Sequence, residues 1–415
     1  RIYILKIIIT KKRESFMDNK QIVYLVGIGM GNVENYTKEA IKIISTSDIL
    51  IGAERMINSA KKLKKTDIFE NKKVFISYKP SEIKDILSKN EFMQATVLLS
   101  GDTGFYSGAK KLESILFEYD VRVVAGISSV AYFCSKIGQS WDNAEIVSCH
   151  GKQVNLISRI LRNEKTFALL DGKESLNKLC EKLVYYNVDV KLYVGINLSY
   201  QDERIITGSP KELINIDTES LVVVFIVNEN SIDRICYSIK DEDFIRDKVP
   251  MTKRDVRALS ISKLGLKNNS IVYDIGAGSG SVSIETAMQS PDILVYAVEK
   301  NELAVELIEK NKRKFVIDNV VVIHGKAPEA IEDLPMPDCV FIGGSTGNIR
   351  SIIEKVFEKN SKCNVVVNTV TLDTLSEIVN ILKVHKEYKA EITQVQASHS
   401  FEVGDYMMMR GDNPV

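Results

Sequence analysis

The chain has 415 residues, 45% of them hydrophobic, 27% charged and 7% aromatic, with 55 basic side chains against 55 acidic ones. That length asks for two globular domains, and the composition excludes a disordered or collagen-like chain. Zero net charge gives no electrostatic footprint for nucleic acid or an anionic membrane.

The neutrality is uneven along the chain. Residues 1–16 carry five basic groups and one acidic, residues 17–237 carry 28 of each, and residues 238–415 carry 22 basic against 26 acidic. The leader's apolar run is broken by Lys6 and no small-residue cleavage site follows it. Nowhere does an apolar run approach the ~18–20 residues of a membrane span. With Arg1 in place of an initiator, Met17 is the expected start, and residues 1–16 are expected to lie outside the fold. Six cysteines (Cys134, Cys149, Cys180, Cys236, Cys339, Cys363) form no CxxC pair; reduced thiols in a cytoplasmic protein without a metal are expected.

From Gln21 onward, short β-branched runs alternate with longer amphipathic segments, which predicts an α/β fold. Strands are expected at 22–26, 95–99, 122–124, 144–148, 166–170, 191–194 and 221–227. Helices are expected at 37–45, 81–89, 109–118, 128–137, 154–162 and 175–185. The first strand runs into Gly27-x-Gly29-x-Gly31, and small, hydroxyl and acidic residues recur at later strand ends: GDTGFYS (101–107), AGISS (125–129) and SCHGK (148–152). Such clusters suit a cleft site in an open α/β sheet. His150 could bind a substrate carboxylate or move a proton near neutral pH, or simply cap a helix from a turn. Lys136, Lys152 and Arg159 could pair with substrate carboxylates or be solvated charges.

This ordered set, from about Val23 to Asn228, resembles the tetrapyrrole methylase family, and SxHGK with GDTGFYS resembles its precorrin-7 C5-methyltransferase branch. The resemblance implies two small α/β lobes, a class III methyltransferase fold, with S-adenosylmethionine between them. Carried over by motif, the cofactor contacts are Gly27, Gly29, Gly31, Gly101, Asp102, Thr103, Ser128 and Ser129. His150 and Lys152 become substrate-binding candidates, with His150 the only catalytic candidate. Met30 and Thr103 stand where the family usually has proline; the loop N–H groups are unaffected by that change.

A polar stretch near 228–240 marks the domain boundary, giving domains at 17–230 and 238–415. Strands are expected at 270–274, 294–298, 320–324, 339–342, 364–368 and 392–398, and helices at 281–288, 302–315, 349–357 and 373–384. In IVYDIGAGSGSVSIETA (271–287) a strand ends in Asp274, three alternate glycines follow, and a helix opens behind them. Alternate glycines let backbone approach a ligand, and the helix start offers unpaired N–H groups. Glu299, at the end of the next strand, is placed to accept from both hydroxyls of a ribose. A dinucleotide fingerprint would need glycine where Ser281 stands, so D-x-G-x-G-x-G favours S-adenosylmethionine. An NAD-dependent oxidoreductase and a non-catalytic nucleotide-binding protein remain the alternatives.

With PMTK (250–253), APEA (327–330) and FIGGS (341–345), residues 240–414 resemble the precorrin-6B C15-methyltransferase (decarboxylating) family of cobalamin biosynthesis. A Rossmann-like class I fold is implied, with Thr252, Gly276, Ala277, Gly278, Ser279, Gly280, Glu299 and Ala327 around the cofactor. Gly343, Gly344 and Ser345 would face a tetrapyrrole. Thr252 could instead cap a helix, Glu299 end a strand in solvent, and Gly343–Gly344 form a turn without a ligand. The family usually continues past Val415 with a few apolar residues, so a fragment is expected. Together the two resemblances imply methylation of a precorrin or cobalt-precorrin at C5 and C15 with decarboxylation, one cofactor per domain, and a homo-oligomer.

Overall fold

Helix ends in this chain are set by polar side chains that accept from otherwise unpaired backbone N–H groups. Thr37 Oγ1 accepts from Ala40 N at 3.0 Å and opens Lys38–Thr46, whose Ala40, Ile43 and Ile44 are buried. Asn301 opens Glu302–Phe315, which closes with Lys312, Arg313 and Lys314 at the negative end of its dipole. The computed structural model describes residues 21–411, apart from 64–68, 70–71, 151–153, 172, 217–220, 233–237 and 345–346. Met17, Lys152, Cys236, Ser345 and the basic leader therefore lie outside the described residues.

Three five-stranded sheets and a hairpin make up the strands. The first comprises β1 (Ile22–Gly27), β2 (Ile49–Gly52), β3 (Lys73–Ile76), β4 (Gln94–Leu99) and β5 (Asp120–Val124). Its order is β3-β2-β4-β1-β5, and every pairing is parallel. The second comprises β6 (Glu145–Ser148), β7 (Lys165–Leu170), β8 (Lys191–Ile196), β9 (Arg204–Gly208) and β10 (Val222–Val227) in the order β6-β7-β10-β8-β9. Here β6 and β7 are parallel, while β7 and β10 are antiparallel.

The third sheet holds β11 (Ile271–Ile275), β12 (Leu294–Glu299), β13 (Val320–His324), β14 (Cys339–Ile342) and β15 (Asn364–Val367). It is wholly parallel, in the order β13-β12-β11-β14-β15. The strand order reverses at β11, so the crevice outside the C-terminal ends of β11 and β14 is where an open sheet binds a ligand. One face of this sheet packs Val272, Val295, Ala297 and Phe341, and the other packs Tyr273, Ile275, Val298 and Val340.

Two expectations fail locally. The strand expected at 392–398 does not form over 392–397. The ladder lies later, in β16 (Ser398–Val403) and β17 (Tyr406–Gly411), because Gly404, with φ +59°, makes a two-residue turn that pairs Val403 with Tyr406. The sequence pattern also passed over β2, β3 and β9. All four residues of β2 are buried, so it has no alternation to read.

By contact density, one unit contains residues up to Trp141 together with Gly195–Ile205. The other contains Asp142–Val194 and residues from Ile206 onward. Within the second unit, β6–β7 and their helices are bound to the loops that lead into β12 and β13. Arg159 bridges Glu145 and Asp292, Asn155 Nδ2 donates to Pro291 O at 2.7 Å, and Tyr186 Oη donates to Ile317 O at 2.9 Å. Arg159 is thus held by two protein carboxylates. The five described cysteines are free thiols, Cys149 half-buried and the rest buried. No helix among the described residues is long and apolar enough to cross a membrane.

Arg159→Ala leaves two half-buried carboxylates without their cation. Partial exposure screens the loss, so urea unfolding should register a fall of about 1–2 kcal/mol, and an unchanged midpoint would remove Arg159 as a structural bridge.

Candidate functional site

At the C-terminal edge of the third sheet, β11 passes into Gly276-Ala277-Gly278-Ser279-Gly280 and the helix Ser281–Ala287. Gly276, Gly278 and Gly280 have φ of +73°, +55° and +78°, a region that favours glycine. The first two also have backbone neighbours that leave no room. A Cβ on Gly276 would sit 2.6 Å from Gly344 O, and one on Gly278 would sit 2.7 Å from Pro250 O. The glycine loop therefore touches both the segment containing Thr252 and the Gly343–Gly344 turn, two elements that the sequence placed at the same site.

Glu299, buried at the end of β12, is held by backbone. Its Oε2 accepts from Gly278 N at 3.0 Å and its Oε1 from Asn301 N at 2.9 Å. Each carboxylate oxygen keeps further acceptor capacity, so the group is not a solvated strand end. Thr252 does not cap the following helix: the cap position of Arg254–Lys263 is Lys253, without a side-chain cap bond. Ala327 is buried, and its carbonyl accepts from Asn348 Nδ2. Asp274, 1% exposed, accepts from Ser283 Oγ. Burial above all, and then the nearby Glu299 charge, push its carboxyl up to about 7 against the hydrogen bonds from Ser283.

Two features fit a nucleoside-type cofactor at this edge. Ser279 Oγ is buried without a hydrogen-bond partner, and open space lies where a Gly344 Cβ would be. Glu299 and Ser279 would hold such a group, since the amides of Gly276, Ala277, Gly278 and Gly280 already donate within the chain.

In the first sheet, β1, β4 and β5 end against one another through glycine. A Cβ on Gly27 would lie 2.8 Å from both Gly101 O and Gly126 N. Gly29 and Gly101 exchange backbone bonds at 3.1 and 2.7 Å, and open space lies where a Gly101 Cβ would be. Gly31, φ +129°, faces the Tyr200 ring. Asp102 accepts from Gly104 N at 2.8 Å and Gly126 N at 3.0 Å, which makes it a clamp between two loops. Ser128 Oγ caps Ser129–Ile137 by accepting from Ala131 N at 3.3 Å, Ser129 is buried in that first turn, and Thr103 Oγ1 donates to Val124 O at 3.5 Å.

His150 belongs to the other unit. It is exposed at the end of β6, with Nδ1 3.0 Å from Asp171 Oδ1 at the end of β7. Sequence reasoning missed Gly126, Ser199 and Tyr200. Ser199 Oγ accepts from Asn32 N at 2.9 Å and from Asn35 Nδ2 at 3.1 Å, a contact between positions too distant in sequence to suggest itself.

Profile comparison matches residues 242–415 to a family described as precorrin methyltransferase domain, and residues 22–214 to the tetrapyrrole (corrin/porphyrin) methylases. A probable cobalt-precorrin-6B C(15)-methyltransferase (decarboxylating) of Pyrobaculum calidifontis is 39% identical over 181 residues, 43% of this chain and 92% of that one. The precorrin-6Y C(5,15)-methyltransferase (decarboxylating) of Sinorhizobium sp is 26% identical over 355 residues, 84% of each chain. A crystal structure of precorrin-6Y C5,15-methyltransferase from Geobacter metallireducens GS-15 is 41% identical, covers 43% of this chain and 92% of that one, and superposes with a TM-score of 0.40. The protein is a methyltransferase. Through its C-terminal half the chain belongs to the cobalt-precorrin-6B C15-methyltransferase family, and S-adenosylmethionine is the methyl donor that this family implies.

Gly276→Ala forces a backbone clash, so S-adenosylhomocysteine calorimetry should lose one site with the fold intact by circular dichroism. Asp274 gives a separate pH signature. A raised pKa means the folded state binds the proton more tightly than the unfolded state. Its contribution is therefore full below pH ~4 and is lost as pH rises through ~7. The stability of Asp274→Asn relative to wild type should climb over that window, by on the order of 3–4 kcal/mol at most; a pH-independent difference in chemical denaturation would contradict it.

Proposed function

We propose that the chain performs two S-adenosylmethionine-dependent C-methylations on one precorrin or cobalt-precorrin, in cobalamin biosynthesis in the cytoplasm. Residues 17–230, a two-lobed tetrapyrrole methylase, act at C5. Residues 238–415, a Rossmann-like methyltransferase, act at C15 and release the ring C acetate carboxylate as carbon dioxide. Each domain holds its own cofactor. The observation that carries this reading is the presence of two separate glycine-built strand-end sites in one chain, supported by the relative of matching length that is named for both positions.

Bound S-adenosylmethionine supplies an electrophilic methyl group, so an electron-rich acceptor carbon needs no metal and no strong base. The chain's work is alignment: rigid loops hold donor and acceptor in line at contact distance. In the C-terminal site Glu299 would accept from the ribose hydroxyls while Ser279, whose Oγ has no hydrogen-bond partner in the chain, lines the same loop. Gly344 lets the macrocycle come close, because a side chain there would fill the open space, whereas Gly343 is glycine because a Cβ would meet the Phe341 ring at 2.9 Å. Decarboxylation breaks the bond to the carboxylate carbon; the conjugated ring takes up the electron pair and a proton completes the methyl group. The chain has to orient and desolvate that carboxylate. In the N-terminal site the open space over Gly101 plays the corresponding part, and His150 and Lys152 remain substrate-binding candidates.

Incubation with labelled S-adenosylmethionine and precorrin-6B, with and without cobalt, followed by mass spectrometry, tests the whole reading. The expected product gains two methyl groups and loses carbon dioxide. No mass change from protein that binds S-adenosylhomocysteine would sink it. In the same assay Glu299→Ala should slow carbon dioxide release about tenfold or more.

A further inference from the structure

We propose that Arg257 and Asn311 are positioning residues for the C-terminal cofactor site, which they serve by fixing a strap, residues 239–252, across the glycine loop. The inference rests on the assignment of that loop to S-adenosylmethionine. Neither side chain faces a ligand, and both are wholly buried.

Arg257 spends its guanidinium almost entirely on the strap. Its Nη1 donates to Thr252 O at 2.7 Å and Asp241 Oδ1 at 3.1 Å, and its Nη2 donates to Ile239 O at 2.5 Å. The remaining Nε donates to Glu285 Oε1 at 2.9 Å, and the same carboxylate accepts from Ile239 N at 2.8 Å. Glu285 stands in the helix that the glycine loop opens. The group also lies 4.9 Å over the ring of Phe244, itself a strap residue.

Asn311 forms the second anchor. Its Oδ1 accepts from Ile245 N at 2.8 Å, and its Nδ2 donates to Ile245 O at 3.1 Å and to Ser279 O at 3.0 Å. One amide thus holds the strap and the glycine loop together. Between Ile245 and Thr252 the strap is largely exposed, yet Pro250 O sits 2.7 Å from where a Gly278 Cβ would lie. A segment anchored at two ends by buried groups crosses the loop at its middle glycine.

Packing alone does not call for this arrangement. A buried ion pair costs desolvation, and apolar residues of similar volume often stabilise a core equally well. What the fork of an arginine adds is direction, since it reaches two carboxylates and two strap carbonyls at fixed angles that a lysine ammonium cannot reproduce. The consequence is a fixed position for Met251 and Thr252 beside the loop.

The test uses the full chain. Hydrogen–deuterium exchange of amides 245–252 without ligand is compared with calorimetric binding of S-adenosylhomocysteine. Arg257→Lys and Asn311→Ala should speed strap exchange and weaken binding at one of two sites, each about tenfold. In turnover, KM for S-adenosylmethionine in the decarboxylating step should rise more than kcat falls. If either variant fails to fold, Asp241→Asn, which frees one partner without stranding a wholly buried charge, should show a smaller change in the same direction. Folded variants with wild-type strap exchange and affinity overturn the proposal. Glu299→Ala separates the two levels: if both binding sites survive it, the site assignment itself fails; if one is lost while the strap variants bind normally, only the strap proposal fails.

Discussion

Strands of a parallel sheet all end on the same side, so the loops that leave them must pass one another before turning into helices. In both glycine-built edges of this chain that crossing is closer than a side chain allows. A Cβ on Gly126 would lie 2.2 Å from Gly101 O, and one on Gly276 would lie 2.6 Å from Gly344 O. Both partners are backbone, so no rotamer change relieves the contact. The crossing also brings a helix start to the sheet edge, and the first turn of a helix has N–H groups that an anion or a hydroxyl can meet. A cradle for a nucleoside-type group is thus a direct consequence of how the sheet edge closes.

Once the loop is placed, buried polar groups determine what stands around it. Asp274 and Glu299 are neighbouring carboxylates in different settings. Asp274 lies inside, with one oxygen on Ser283 and the other unpaired, and burial raises its pKa. Glu299 is turned to the edge by two backbone amides, one of them from the loop itself. The inner carboxyl belongs to the strand-to-helix corner, whereas the outer one remains able to accept from a ligand.

Features set by neighbours in sequence were legible. The spacing from Asp274 to Gly280 and the strand end at Glu299 are local, and they fall where the pattern put them. Thr252 and Gly343–Gly344 came from family motifs, and their meeting at one loop depends on three-dimensional contacts. Other features carry little local signal. Arg257 reads as a solvated helix charge, although Val256, Ser260 and Ile261 on the same helix are buried and mark its face as internal. Asn311 acts on Ile245, 66 positions away, and nothing in the helix Glu302–Phe315 announces that. The motif offers Asp102 as a cofactor contact; that its two oxygens also accept from the amides of Gly104 and Gly126 is a pairing invisible until β4 and β5 are side by side.

The second sheet adds a constraint on how the chain can be divided. The sequence pattern puts a boundary near 228–240, yet contacts from β6–β7 and their helices cross to the loops that lead into β12 and β13. Arg159, Asn155 and Tyr186 take part, with Lys182 3.4 Å from Asp318. The Asp318 side chain is 3% exposed, and burial raises its pKa despite Lys182. Severing the chain at that boundary would leave these groups to find each other again in solution or to stand against water without partners. The covalent link therefore maintains a high effective concentration for these contacts, so fusion has a structural rationale whether or not an intermediate passes between the two sites.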